Sequence, residues 1–177
     1  MKLSDSIVCV AIVTVCSGPA LRAQQPPVSS DPISQAIRGT WESAKRNLRE
    51  SAEQMPEADY AFRATDQVRT FGEILAHVAG ANYVFCAPAR NEKSPHEEGD
   101  FEKTAKTKAE IVKALNDSMA YCDAAYTALT DRSAAEMIGA QARASTLIRN
   151  VGHLQEHYGN LVTYFRLKGM VPPSSRR

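Results

Sequence analysis

Near the end of the chain, His153 and His157 stand four residues apart in a stretch, residues 145–169, that reads as one continuous helix. At 3.6 residues per turn this spacing leaves the two imidazoles about 40° apart around the axis and roughly 6 Å apart along it. Two neutral imidazoles so placed can share one metal ion, provided that a third ligand comes from elsewhere in the chain. His77 is the candidate, because it borders the apolar stripe of an earlier helix that should face the same core. Three imidazoles with one or two open positions suit a divalent metal ion, zinc or nickel before others. Alone, a His-x-x-x-His pair is more often two ordinary, partly buried side chains; the third histidine is what moves the reading toward metal.

Other candidates carry a structural reading beside the functional one. Glu73 stands one turn from His77 and could act as a base or orient the ring, yet it also completes a capping box, Thr70-Phe71-Gly72-Glu73. Glu156 and Asn160 flank His157 and could orient imidazoles, although solvated side chains are the simpler expectation. Tyr83, Tyr158 and Tyr164 could line a pocket, but aromatics at helical spacing usually belong to a core. His96, in Ser94-Pro95-His96-Glu97-Glu98, reads as exposed. No Ser-His-Asp arrangement, phosphate loop, Cys-x-x-Cys or carboxylate-rich di-metal pattern is present. Leu154 stands where a zincin helix carries its glutamate, which excludes a metalloprotease of that type.

The elements that must position these residues are four amphipathic helices with no credible strand between them. Asp31-Pro32 reads as an N-cap with proline at the first helical position, and Ile33, Ala36, Ile37, Thr40, Trp41, Ala44 and Leu48 follow at helical steps. The second helix starts at the Thr70 capping box, with Phe71, Ile74, Leu75, Val78, Ala81, Asn82 and Phe85 inward and Pro88 stopping it. Thr107 to Glu110 forms another capping box before the third helix, whose buried set is Ile111, Leu115, Met119, Cys122, Tyr126 and Leu129. Ser133 to Glu136 could cap a short helical turn holding Met137 and Ile138. The last helix buries Leu147, Val151, Leu154, Tyr158, Leu161 and Phe165, with Gly169 suited to the left-handed residue after its final turn. The fold class is therefore all-α, a four-helix bundle with long crossover connections over residues 53–69 and 88–106.

Residues 1–23 are set apart from this domain. Lys2, an apolar run of ten residues (IVCVAIVTVC, 7–16), the Ser17-Gly18-Pro19 break and Ala23 before Gln24 have the order of a secretory signal peptide. A spanning helix would need roughly 20 apolar residues. The expected organisation is a signal peptide over 1–23, a flexible spacer over 24–30, the bundle over 31–173 and a short tail over 174–177. The mature protein is then exported, periplasmic or secreted, and off the membrane after cleavage. Taking Lys2, Arg22 and Asp5 from the totals of 21 basic and 20 acidic residues leaves 19 of each. That balance argues against a nucleic-acid partner, which wants a basic stripe. Cys9 and Cys16 leave with the signal, and Cys86 and Cys122 remain. Antiparallel neighbouring helices would hold these two about 20 Å apart, so separate buried thiols are the simpler expectation; only parallel helices would let them bond.

The second helix, VRTFGEILAHVAGANYVFC, and the ending HLQEHYGNLVTYFRLKGMVPP together resemble the DinB-like superfamily of four-helix-bundle metalloenzymes, over essentially the whole mature chain. The resemblance implies one divalent metal held at one end of the bundle by His77, His153 and His157. It also implies a metal-dependent hydrolase or a thiol-linked transferase acting on a small molecule; a homodimer through a bundle face is compatible with an enzyme and with a binding module alike. Export weighs against the transferase, since the low-molecular-weight thiols such enzymes use are mostly cytosolic. The alternative is a non-catalytic binding module in which metal serves stability alone. The substrate and the reaction are not written in these residues.

Overall fold

The computed structural model describes residues 30–176. The signal-peptide reading of residues 1–23, and all of the spacer but Ser30, lie outside the described residues. Four long helices make the body: α1 (Pro32–Gln54), α2 (Phe71–Ala89), α4 (Lys108–Thr127) and α6 (Arg143–Leu167). Two short helices, α3 (Asp100–Thr104) and α5 (Asp131–Ala134), lie in the connections, and a two-residue ladder joins β1 (Met137–Ile138) to β2 (Gln141–Ala142). The segment expected to place Met137 and Ile138 in a helical turn is thus a miniature hairpin. Gly139 at φ 60° makes the reversal that a helix would not permit.

Local chemistry sets the helix starts. Thr70 and Thr107 each accept from the backbone N–H three residues on, and Glu73 and Glu110 return the bond to the cap backbone. At α1 the expected Asp31 cap is replaced by a long-range one. Asp131 accepts from the N–H of Ser34 at 2.7 Å and of Ile33 at 3.3 Å, while Asp31 accepts from the N–H of Asp131. Two helix N-termini that are a hundred residues apart in sequence thereby satisfy each other's free donors. The same contact rotates the first turn: Ser34 is buried, whereas Ile33, Ala36 and Thr40, expected inward, face solvent. From Trp41 onward the expected stripe holds through Ala44 and Leu48, and burial continues beyond it to Ala52 and Met55.

Pairings along the helices fix the topology. Gly72 meets Ile111, Asn82 donates to Ser118, and Cys86 bonds Cys122. The offset between partners stays nearly constant, so α2 and α4 run parallel. Against α6 the order reverses, with Phe71 on Phe165, His77 on His153 and the Arg143 guanidinium on the Ala89 carbonyl. α2 touches α4 and α6, as does α1, and these pairs define the four sides of the bundle. Residues 90–107 must therefore travel the length of the bundle to let α4 start where α2 started. Burial follows. α2 is enclosed by α4, α6 and that connection, so nearly its whole surface is buried rather than one stripe.

The parallel pairing overturns the expectation of separate thiols. Cys86 and Cys122 form a disulfide with Cα atoms 5.4 Å apart, wholly buried in the core. Beside it Trp41 stacks on Tyr126 at 4.4 Å, and Asn150 donates to the Tyr126 hydroxyl at 3.2 Å. The connection itself is seated on α2 at Gly80, where an added Cβ would stand 2.1 Å from the carbonyl oxygen of Glu98. Phe101 and His96 pack with Tyr83 on the same stretch, so His96 is half-buried rather than free in solvent. Beyond the last helix, Gly169 at φ 69° turns the chain and Met170 donates to the Phe165 carbonyl. The tail segment then makes a turn at Pro173–Ser175, docked through Ser174 N–H on the Tyr158 hydroxyl.

Two stability predictions follow from this packing. Replacing both cysteines by alanine removes a cross-link across a 36-residue separation, and should cost about 3–4 kcal/mol in chemical denaturation. Gly80→Ala gains helix propensity of about 1 kcal/mol, but overpacking against backbone costs about 1–3 kcal/mol. The loss should win, and a lower melting temperature of the Gly80→Ala protein would register it.

Candidate metal centre

His77 sits two turns into α2, where the capping box fixes the start and hence the direction of each later side chain. His153 and His157 project from one face of α6 toward it, four residues apart as the helical period requires. The structure brings all three expected residues together. Nε2 of His153 lies 3.1 Å from Nε2 of His77 and 3.0 Å from Nε2 of His157. One ligating nitrogen from each ring lies within 4.8 Å of the others. Two atoms each about 2.1 Å from a common ion can be no more than about 4.2 Å apart. The two direct separations meet that limit, the third pair would close to within it around an ion, and the donor set of three imidazoles suits a borderline divalent ion.

Two carboxylates that sequence reasoning passed over complete the arrangement. Oε1 of Glu102, on α3, lies 3.0 Å from Nδ1 of His77. In the tautomer a metal would bind, Nδ1–H donates to that carboxylate and Nε2 turns its lone pair to the other rings. Glu102 is itself held by Arg69, whose Nε donates to Oε2 at 2.9 Å. Oε1 of Glu98, just before α3, lies 3.2 Å from Nε2 of His77. Both acids belong to the charged stretch read as a plain loop. Their four-residue spacing, and a glycine one turn beyond His77, were the signals that could have found them.

The remaining candidates take their structural roles. The Glu73 carboxylate accepts from the Thr70 N–H, which holds its pKa below the usual range, and it does not reach the imidazoles. Glu156 and Asn160 are exposed, and among the described residues neither hydrogen-bonds a histidine ring. Tyr164 is buried against Phe62 and Phe71, donates to the Arg69 carbonyl, and also lines a cleft. That cleft, of about 670 Å³, opens beside His157 and is bordered by Val68, Arg69, Ile74 and Asn160. His157 thus joins the three-nitrogen cluster to a space that admits a small molecule.

Burial dominates the electrostatics. His77 and His157 are 6% and 8% exposed, and His153 is partly exposed. Burial, followed by the like charge of the His153 and His77 rings, pushes His157 down to about 3. Burial also lowers His153, with His77 adding to the effect and Glu98 opposing it. His153 and His157 are thereby kept neutral at ordinary pH, which is the form a metal requires.

Comparison with known proteins places this geometry among relatives. The profile described as the DinB superfamily matches residues 40–161. A solved structure, of a conserved protein from Enterococcus faecalis, superposes with a TM-score of 0.62 at 16% identity, covering 76% of this chain and 96% of that one. At that identity the likeness speaks for the fold alone. No curated protein matches the chain.

The depressed histidines set a pH dependence for the metal-free protein. Unfolded imidazoles take up protons near pH 6.5 while the folded site refuses them until about pH 3 at His157. The unfolded state then binds more protons, so stability is complete above about pH 6.5 and is lost as pH falls through that window. Chelator-treated protein should lose on the order of 2 kcal/mol between pH 7 and pH 5. His157→Gln should flatten that slope in denaturant titrations at the two pH values.

Proposed function

The chain belongs to the DinB superfamily, and on that premise we propose that it is an exported metalloenzyme holding one divalent ion through His77, His153 and His157. The observation that carries this reading is the convergence of the three Nε2 atoms at 3.0 and 3.1 Å beside an open cleft. Zinc or nickel fits the all-nitrogen donor set best. When bound, the ion supplies a Lewis acid that stabilises negative charge on an oxygen or sulfur of the reacting molecule.

The chain's own residues supply the rest. Glu102 fixes the His77 tautomer and ring plane, and Arg69 fixes Glu102. Val68 and Ile74 give the cleft apolar walls, while Arg69 and Asn160 offer it polar groups, so a small molecule with a polar end is accommodated. Hydrolysis is favoured over transfer to a thiol, because the signal-like residues 1–23 would take the protein away from cytosolic thiols. The buried disulfide agrees with delivery to an oxidising compartment. The equal numbers of acids and bases beyond residue 23 offer no basic stripe for a nucleic acid.

Elemental analysis of the purified protein tests the reading. The wild type should carry about one equivalent of a divalent transition metal, and His153→Ala should retain little of it. Hydrolysis of small ester and amide substrates should disappear with chelation and return with zinc or nickel. A wild type without stoichiometric metal, or a His153→Ala protein that keeps it equally well, overturns the proposal.

A further inference from the structure

We infer that Glu98 is a fourth protein ligand of this centre, a carboxylate delivered to the three imidazoles by the connection between α2 and α4. The inference rests on the metal-centre reading above and adds a residue to it. Its first support is distance. Oε1 of Glu98 stands 3.2 Å from Nε2 of His77, matching the 3.1 Å that separates this nitrogen from Nε2 of His153. Atoms spaced in this way share one coordination sphere when a cation is among them.

The second support is the count of donors and acceptors. In the neutral His77 ring that a metal needs, an Nδ1 proton directed at Glu102 leaves Nε2 with no hydrogen to give. It nevertheless faces both a carboxylate oxygen and another imidazole nitrogen at hydrogen-bonding distance. His153 Nε2 can donate to only one of its two imidazole neighbours. Acceptors therefore outnumber protons around this point, and a divalent cation satisfies all of them at once.

The third support lies in the backbone. The Glu98 carbonyl rests on α2 where Gly80 has no side chain, one turn beyond His77. This contact, together with the Phe101 and His96 rings packed against Tyr83, sets the connection at a fixed height over the histidines. Glu97 and Glu98 are adjacent acids, but only Glu98 is directed at the cluster. Its side chain is 52% exposed, so it approaches from the solvent side and can reach a bound ion without disturbing the core. A carboxylate there also cancels one of the two positive charges that three neutral imidazoles would leave uncompensated.

Cobalt(II) reports the ligand set by its visible absorption, and zinc affinity is read by competition with a chromophoric chelator. The mature protein, Glu98→Gln, Glu98→Ala and the control Glu97→Gln are compared. Both Glu98 variants should bind zinc at least about tenfold more weakly and change the cobalt spectrum, while Glu97→Gln matches the wild type. Coinciding melting curves of the metal-free proteins establish that each variant is folded. If the wild type loads cobalt and both Glu98 variants keep its affinity and spectrum, Glu98 is merely an ion-pair partner of His77 and the inference falls alone. A wild type that loads neither ion overturns the metal centre and Glu98 with it.

Discussion

Lone pairs crowded around one point are the constraint from which the rest of this structure can be understood. Three imidazole nitrogens, two of them on one helix and the third on an antiparallel neighbour, meet at 3.0 and 3.1 Å in surroundings largely closed to water. Buried acceptors that face one another without a proton or a cation between them are unfavourable by several kcal/mol. Such a cluster persists only if the scaffold holds it in place independently. α2 does so by being buried on nearly every side, which leaves His77 no room to turn away. α6 does so through the core residues Leu154 and Leu161, between and beyond its two histidines.

The disulfide and the crossover connection belong to the same solution. An antiparallel α2–α4 pair could be joined by a short turn, but no chain would then pass along α2. Running the two helices in parallel forces residues 90–107 back across the bundle. That passage carries Glu98 and Glu102 to both nitrogens of His77. The Cys86–Cys122 bond ties the far ends of the parallel pair, and the Gly80 contact anchors the passage between them. Rigid helices thus supply the nitrogens, while a seated connection supplies the oxygens.

How much of this was legible follows from the range of each interaction. The Thr70 and Thr107 capping boxes, the inward residues of the last two helices and the Gly169 turn are local, and the sequence pattern placed them where they stand. His77, His153 and His157 could be grouped because helical period and core-facing position constrain them before any topology is known. What could not be read depended on the direction of one helix relative to another. The disulfide required parallel α2 and α4, and the Asp131 cap on α1 required a contact across a hundred residues. Glu98 and Glu102 were hidden for the same reason, since their stretch has loop composition and its path over α2 is a tertiary fact. Gly80 was a local trace of that path: a glycine in mid-helix marks a place where another backbone comes close.

The distribution of the core bears on what a metal would be for. Where an ion serves stability alone, it replaces a hydrophobic core that the chain is too short to build, as in small zinc domains that unfold without it. Here the core is complete without an ion: the Trp41–Tyr126 stack, the buried disulfide and the Phe71–Phe165 contact hold all four long helices together. The histidines lie toward the rim of that core, and His157 borders the open cleft. An arrangement of buried imidazoles, a glutamate on one ring and an adjoining pocket contributes little to folding that the core does not already provide. Stability alone therefore does not account for its physical cost.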